Sequence, residues 1–438
     1  MARNPSIKTK PVAALTRLDF GHAVEAFNYW QAVVDQALTA STPTPFYIFS
    51  PLPVAERIAE LEQALARAGI HSTHSPRAGK LTGRHWLSCK TQPVAPLLRW
   101  WREQGRDVEV VSEFELRAVL AEGFKPQTIL VNGPAKHHWL PRYPLSGLSV
   151  NFDSPAELKA LLLLAKKMQW RCGVRINTSE EFDPESPQFP TQFGFTPEEA
   201  VKALKQLVRA KAAVQTVSFH LRTNIASVQI YQRTIQEVAE VCQAAKFNPR
   251  YLDIGGGLPV RHVLTRGGKV YDGEFGLRAF SEMLRQSVKL FPGLQELWLE
   301  NGRFVSASSG VLVTKILDVK ERRGLRQLIC DGGRTMNALT SLWEQHHLLS
   351  RPQRGGSEVL TAVHGPTCMA FDQLARIPLS RSLRAGDHLV WLEAGAYHIP
   401  WETRFSHGHA LVLWHDGKRL SLVRERQSFE DFWAQWRG

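Results

Sequence analysis

The chain has 438 residues, 43% hydrophobic and 22% charged, a length and balance that exclude a disordered chain or a small staple-dependent scaffold and leave room for two domains. Lys and Arg outnumber Asp and Glu by 54 to 41, for a formal net charge of +13. The positive residues are dispersed, with no basic arm and no repeated aromatic-basic interleaving, so nucleic acid is not an expected partner. The five cysteines, at 89, 172, 242, 330 and 368, include no CxxC pair, which suggests neither a disulfide framework nor a thiolate zinc site, and no HExxH string supports metal catalysis. Met1–Lys8 lacks an apolar core with a cleavage site, and no later stretch has the length and apolarity of a membrane span. The expectation is a cytoplasmic protein with no membrane partner.

Taken in order, Phe46–Phe49 reads as a short strand, ended by Pro51 and Pro53, before a helix whose apolar residues Val54, Ile58, Leu61 and Leu65 recur at helical spacing. The alternation then repeats. Strands are expected at His85–Cys89, Thr128–Asn132, Leu148–Phe152, Gln169–Ile176, Val217–Leu221, Tyr251–Ile254 and Glu296–Glu300, with helices at Val94–Gln104, Pro155–Met168, Ser227–Ala245 and Phe275–Phe291. About eight such units make a TIM barrel, in which chemistry gathers at the C-terminal ends of the strands. Lys90, His220, the run Gly255-Gly256-Gly257 and Glu300 all fall there.

From Ser306 the pattern changes to period-two alternation, at Gly310–Val319, Arg326–Cys330, His388–Leu392 and Ala410–Trp414, which reads as a second, mainly β domain. The fold class is therefore α/β, a TIM barrel with a β-barrel-like C-terminal domain. The boundaries are 43–306 for the barrel and 307–438 for the β domain, after an N-terminal segment 1–42.

Each candidate residue has a plain reading when it stands alone. A strand-end lysine is usually solvated, a glycine run is a tight turn, a Glu-Arg pair is a surface salt bridge, and a lone histidine or cysteine is core. Together they do more. Lys90 would emerge at a barrel mouth, where desolvation can free its amine to condense with an aldehyde. Three glycines after a strand leave backbone NH groups to grip an oxyanion, and no GxGxxG dinucleotide fingerprint is present. A carboxylate such as Glu300 can hold a pyridine nitrogen protonated, and Arg303 can pair with phosphate.

Ser88-Cys89-Lys90, Gly255-Gly256-Gly257, Glu300-Asn301-Gly302-Arg303, Gly365-Pro366-Thr367-Cys368 and Gly395-Ala396-Tyr397, in this order and approximate spacing, resemble the alanine-racemase-fold (fold type III) decarboxylases, the group containing diaminopimelate and ornithine decarboxylases. The resemblance implies pyridoxal 5'-phosphate as cofactor, carried on Lys90. It implies Glu109 beside that lysine where an aspartate is usual, His220 stacked on the ring, and Glu300 at the ring nitrogen. Gly255, Gly256, Gly257, Thr223, Arg303 and Tyr397 would lie at the phosphate, and Arg175 near the cofactor. Cys368 would donate the proton that replaces carbon dioxide, across the subunit boundary of a homodimer with shared active sites. The N-terminal segment would pack on the β domain.

Three departures bear on substrate. Arg222 replaces an expected glycine; Met369 stands where the family's diamine-type enzymes carry an acid that pairs with a distal ammonium; and an arginine-proline-aromatic sequence is missing, with Leu339 and Trp343 nearest its place. Arg222, Met369, Asp372 and Trp343 are the candidate substrate contacts. The expected substrate is an amino acid, or amino-acid conjugate, whose distal group is not a simple ammonium, acidic ones included. A racemase or other lyase of the same fold is the alternative, though racemases favour an arginine where Glu300 stands; a non-catalytic homologue is the other.

Overall fold

The computed structural model describes residues 21–74, 80–181, 191–260, 263–265, 275–342 and 344–437. Eight parallel strands, Thr82–Ser88, Asp107–Val110, Ile129–Val131, Ser149–Phe152, Arg171–Arg175, Val214–Ser218, Tyr251–Asp253 and Glu296–Leu299, pair in sequence order. The last returns to the first, with Glu296 opposite Thr82 and Leu299 opposite His85, and closes the barrel. Trp86, Leu130 and Trp298 form their own fully buried cluster, while the helices outside pack on a continuous apolar shell.

Helix starts follow local chemistry. Ser112 and Ser154 each accept a backbone NH three residues on, at 3.2 Å, and Thr196 with Glu199 forms a reciprocal capping box. The helix Pro197–Arg209 then buries Ala200, Ala203, Leu204 and Leu207 on one face.

The second domain is built on a sheet running Gln373–Ser380, Glu358–His364, Leu325–Cys330, Gly310–Arg322, Phe46–Phe49, Leu411–His415 and Leu420–Arg424. One expectation is corrected here. Phe46–Phe49, assigned to the barrel by the boundary at 43, lies inside this sheet, antiparallel to Gly310–Arg322 and parallel to Leu411–His415. All four residues are buried, and an apolar run this short carries no mark of which sheet it joins. Phe46 and Ile48 pack with Trp30, Val33, Val34 and Ala37 of the helix Gly21–Thr39 and with Val311, Val313, Val390, Leu392 and Leu413. A two-residue pairing of Leu264–Thr265 with Glu344–Gln345 ties the barrel loop after the glycine run to the β domain. Among the described residues no helix is long and apolar enough to cross a membrane.

Candidate active site

Lys90 sits in the 3-10 turn Cys89–Thr91 that ends the first barrel strand, and its Nζ donates to both carboxylate oxygens of Glu109, at 3.0 and 2.9 Å. Glu109, on the next strand, is 1% exposed and Lys90 31%. Burial disfavours the ammonium, but the negative fields of Glu109 first, then Tyr397 and Glu300, outweigh it and raise the lysine's proton affinity above its ordinary value.

Glu300 closes the other side of the mouth. Asn132, ending the third strand, donates its Nδ2 to Glu300 Oε1 at 2.5 Å and lies 3.4 Å from Glu109 Oε1, so one amide links the two carboxylates. His220 Nδ1 is 3.3 Å from Glu300 Oε2. Behind them the fully buried Asp253 accepts from Asn151 Nδ2 and from the Gly255 NH, each at 3.0 Å. Burial and then the neighbouring Glu300 push the Asp253 carboxyl far up. Burial would also raise Glu300, but hydrogen bonding and charge from His220, then Lys90, hold it below its ordinary value. The two carboxyls are thus pushed in opposite directions, Asp253 toward its neutral form and Glu300 toward its charged form.

The glycine run admits no side chain. A Cβ on Gly255 would stand 2.6 Å from the Phe219 carbonyl oxygen, on Gly256 2.8 Å from that of Glu300, and on Gly257 2.8 Å from that of Arg222. Gly255 and Gly257 also have φ of +63° and +99°. A cradle in which backbone must approach this closely, beside a lysine and a buried charged carboxylate, fits a phosphorylated pyridine aldehyde in all three of its functional groups.

Arg303, on the short helix Gly302–Ser306, lies with its guanidinium 4.9 Å above the Tyr397 ring, and the Tyr397 NH donates to the Thr91 carbonyl, next to Lys90, at 2.7 Å. Its charge is engaged by an ion pair with Glu344, whose other oxygen meets His346 Nε2 at 2.8 Å. His346 stacks obliquely on His398, and His398 Nε2 lies 2.6 Å from Asn337 Oδ1.

The remaining candidates are more dispersed. Arg222 donates to the Glu180 carbonyl at 2.9 Å. Thr223 is exposed. Arg175 lies 3.6 Å from Glu181 and 3.9 Å from Asp153, over the Phe193 ring. Cys368 is exposed, on a β-domain loop followed by the half-buried Met369. Asp372, expected at the substrate, is 2% exposed and braces that loop, accepting from the Arg334 NH at 2.7 Å, the Thr367 NH at 3.1 Å and the Thr367 hydroxyl at 2.6 Å. Among the described residues none of the loop's hydrogen bonds runs to the barrel mouth. Trp343 lies outside the described residues.

Sequence reasoning missed Asn132, Asp253, Glu344 and His346. The first two had a signal, since both are polar residues at the C-terminal ends of predicted barrel strands. Glu344 and His346 had none, because their role depends on a chain crossing from the β domain.

Residues 83–307 match the family described as pyridoxal-dependent decarboxylase, pyridoxal binding domain. The diaminopimelate decarboxylase of Zymomonas mobilis is 24% identical over 407 residues, 90% of this chain and 93% of that protein; that of Aquifex aeolicus is 22% identical, covering 88% and 90%. Among solved structures, the diaminopimelate decarboxylase of Helicobacter pylori complexed with L-lysine superposes with a TM-score of 0.75 at 21% identity, over 91% of this chain and 98% of that one. The arginine decarboxylase of Paramecium bursaria Chlorella virus bound to agmatine gives a TM-score of 0.70 at 20% identity, over 88% and 100%. With its closed parallel barrel, its lysine and its glycine cradle, the chain belongs to the pyridoxal-dependent amino-acid decarboxylases and takes pyridoxal phosphate as its cofactor.

Proposed function

We propose that the chain decarboxylates an amino acid or amino-acid conjugate whose distal group is not a simple ammonium, working as a homodimer with shared active sites. Acidic and conjugated amino acids are the first classes to test. The observation that carries the substrate reading is Met369, directly after Cys368: a thioether cannot pair with a distal ammonium, and an unpaired buried cation is costly.

In this reading Lys90 would carry the cofactor's aldehyde, Glu300 would face the ring nitrogen, and Gly255, Gly256 and Gly257 with Tyr397 would hold the phosphate, the charge of Arg303 being taken by Glu344. When bound, the cofactor supplies a positive ring that accepts the electron pair left as the carboxylate departs as carbon dioxide. The protein does the rest. Glu109 orients the Lys90 amine and takes part of its charge while the site is unloaded. Asn132 keeps Glu109 and Glu300 at a fixed separation, and Asp253, pushed toward its neutral form, leaves the negative charge with Glu300. His220 keeps the ring's flank covered. Cys368 of the second subunit gives its thiol proton to Cα, replacing the lost carboxylate, and regains one from water.

The test is carbon dioxide release from a panel of amino acids by the purified protein with pyridoxal phosphate, beside K90A. Borohydride trapping and peptide mass mapping accompany it. Release that requires Lys90, with the reduced cofactor found on that residue, supports the reading. A cofactor trapped on Lys90 with no release from any amino acid would leave a non-catalytic homologue.

A further inference from the structure

We infer that Glu344 is a specificity-determining residue: by neutralising Arg303 at the rim of the Lys90 pocket it makes the distal part of the site accept an uncharged, hydrogen-bond-accepting group, such as an amide or ester, in preference to a carboxylate. The inference deepens the proposed decarboxylation and rests on it for the presence of an amino-acid substrate.

Arg303 is three residues beyond Glu300, its guanidinium covers the Tyr397 ring, and Tyr397 is tied by its backbone to Thr91 beside Lys90. Glu344 arrives there from the β domain, fixed by the pairing of Glu344–Gln345 with Leu264–Thr265. Glu344 is 4% exposed and His346 2%. A buried arginine beside a ligand pocket would ordinarily attract a substrate carboxylate with a bidentate fork. Here a carboxylate of the chain itself has that place, and a second anion would meet the charge of Glu344. The hydrogen bond from His346, then the charge of Arg303, hold Glu344 ionised down to a pKa of about 2 against a burial that would raise it.

Two buried donors, Arg303 Nε and Asn337 Nδ2, find no hydrogen-bond partner among the described residues. Buried donors left unpaired in a native site call for an acceptor. A carbonyl oxygen satisfies them without adding net charge. Arg222, beyond the sixth barrel strand, donates to the Glu180 carbonyl, and Met369 offers nothing to an ammonium. Both signs of distal charge are therefore disfavoured by the same pocket.

The experiment uses the cofactor-loaded full chain and matched amino acids: glutamate against glutamine, 2-aminoadipate against its amide, and lysine against N6-acetyllysine. Dissociation constants are read from the change in cofactor absorbance, with carbon dioxide followed in the same samples. In the wild type the neutral member of each pair binds about tenfold tighter or more. E344Q, which keeps shape and removes charge, tightens the two dicarboxylic amino acids by about tenfold and leaves the amides nearly unchanged. Equal or reversed affinities in the wild type overturn the inference without recourse to any variant. So does an E344Q protein that retains wild-type discrimination, or one in which only the affinity for pyridoxal phosphate or inorganic phosphate changes, since Glu344 would then act on the phosphate. Discrimination without carbon dioxide release sinks the decarboxylation reading and leaves the charge filter; release without discrimination sinks the filter alone.

Discussion

The barrel mouth and the Cys368 loop are built to opposite plans. At the mouth, Lys90, Glu109, Asn132, Glu300 and His220 come from five different strand ends and are joined by hydrogen bonds within one chain. The loop is just as firmly held, by three hydrogen bonds onto Asp372 and by Arg334 over Phe371 at 4.6 Å, yet it presents Cys368 to solvent and Phe371 at 57% exposure. In the proposed reading this outward-facing cysteine serves the barrel mouth of a second copy. Cofactor chemistry is thus local to the chain, whereas proton return is expected to need a second copy.

The largest expected effect breaks the local half. K90A should lower carbon dioxide release by about a thousandfold or more and abolish the borohydride-trapped cofactor. C368A breaks the other half: cofactor trapping on Lys90 should persist while turnover falls by about a hundredfold. Mixing the two inactive variants sharpens the comparison. If the site is shared, half of the redistributed dimers are mixed, each with one complete site, and about a quarter of wild-type activity returns. Silence after verified subunit exchange would place Cys368 and Lys90 in one chain's site. A smaller effect is expected of N132A, which leaves two buried carboxylates without their shared donor; unfolding free energy should fall by about 1–3 kcal/mol, read by denaturant titration.

The last prediction concerns acid. Burial, ahead of nearby positive charge, depresses His85 and His398 from 6.5 to about 3. Between those values the unfolded chain binds protons that the folded chain refuses, so stability is full above about pH 6.5 and falls as pH drops toward 3. Melting temperatures across that window should decline, and H398Q should flatten the decline. A profile that rises on acidification would refute the buried neutral state of these rings.

The legible parts of the molecule were those fixed by local pattern. Barrel strand ends were readable because strand period, glycine run and polar terminus coincide within a few residues, as at Tyr251–Gly257. The helices Glu113–Ala121 and Pro197–Arg209 lie outside the expected set although capping residues, Ser112 and Thr196, stand at both starts. What could not be read was partnership at a distance. Arg303 looked like a phosphate ligand because nothing near it in sequence forecasts Glu344, and Asp372 looked like a substrate contact because it follows the Cys368-Met369 motif; its carboxylate instead turns inward onto Arg334 and Thr367, so close to Gly333 and Gly365 that a Cβ at either would strike it.

The strand Phe46–Phe49 has a consequence for how the chain is made. Its neighbours, Gly310–Arg322 and Leu411–His415, come late in synthesis, so four apolar residues near the start emerge long before their partners. The barrel, complete at Glu296–Leu299, can close while this strand is still unpaired. Docking the strand is a long-range, slow step, and until it happens an open apolar edge is available to other nascent chains. Yield in a cell is therefore expected to depend on how long that edge waits, and on holding chaperones that cover it.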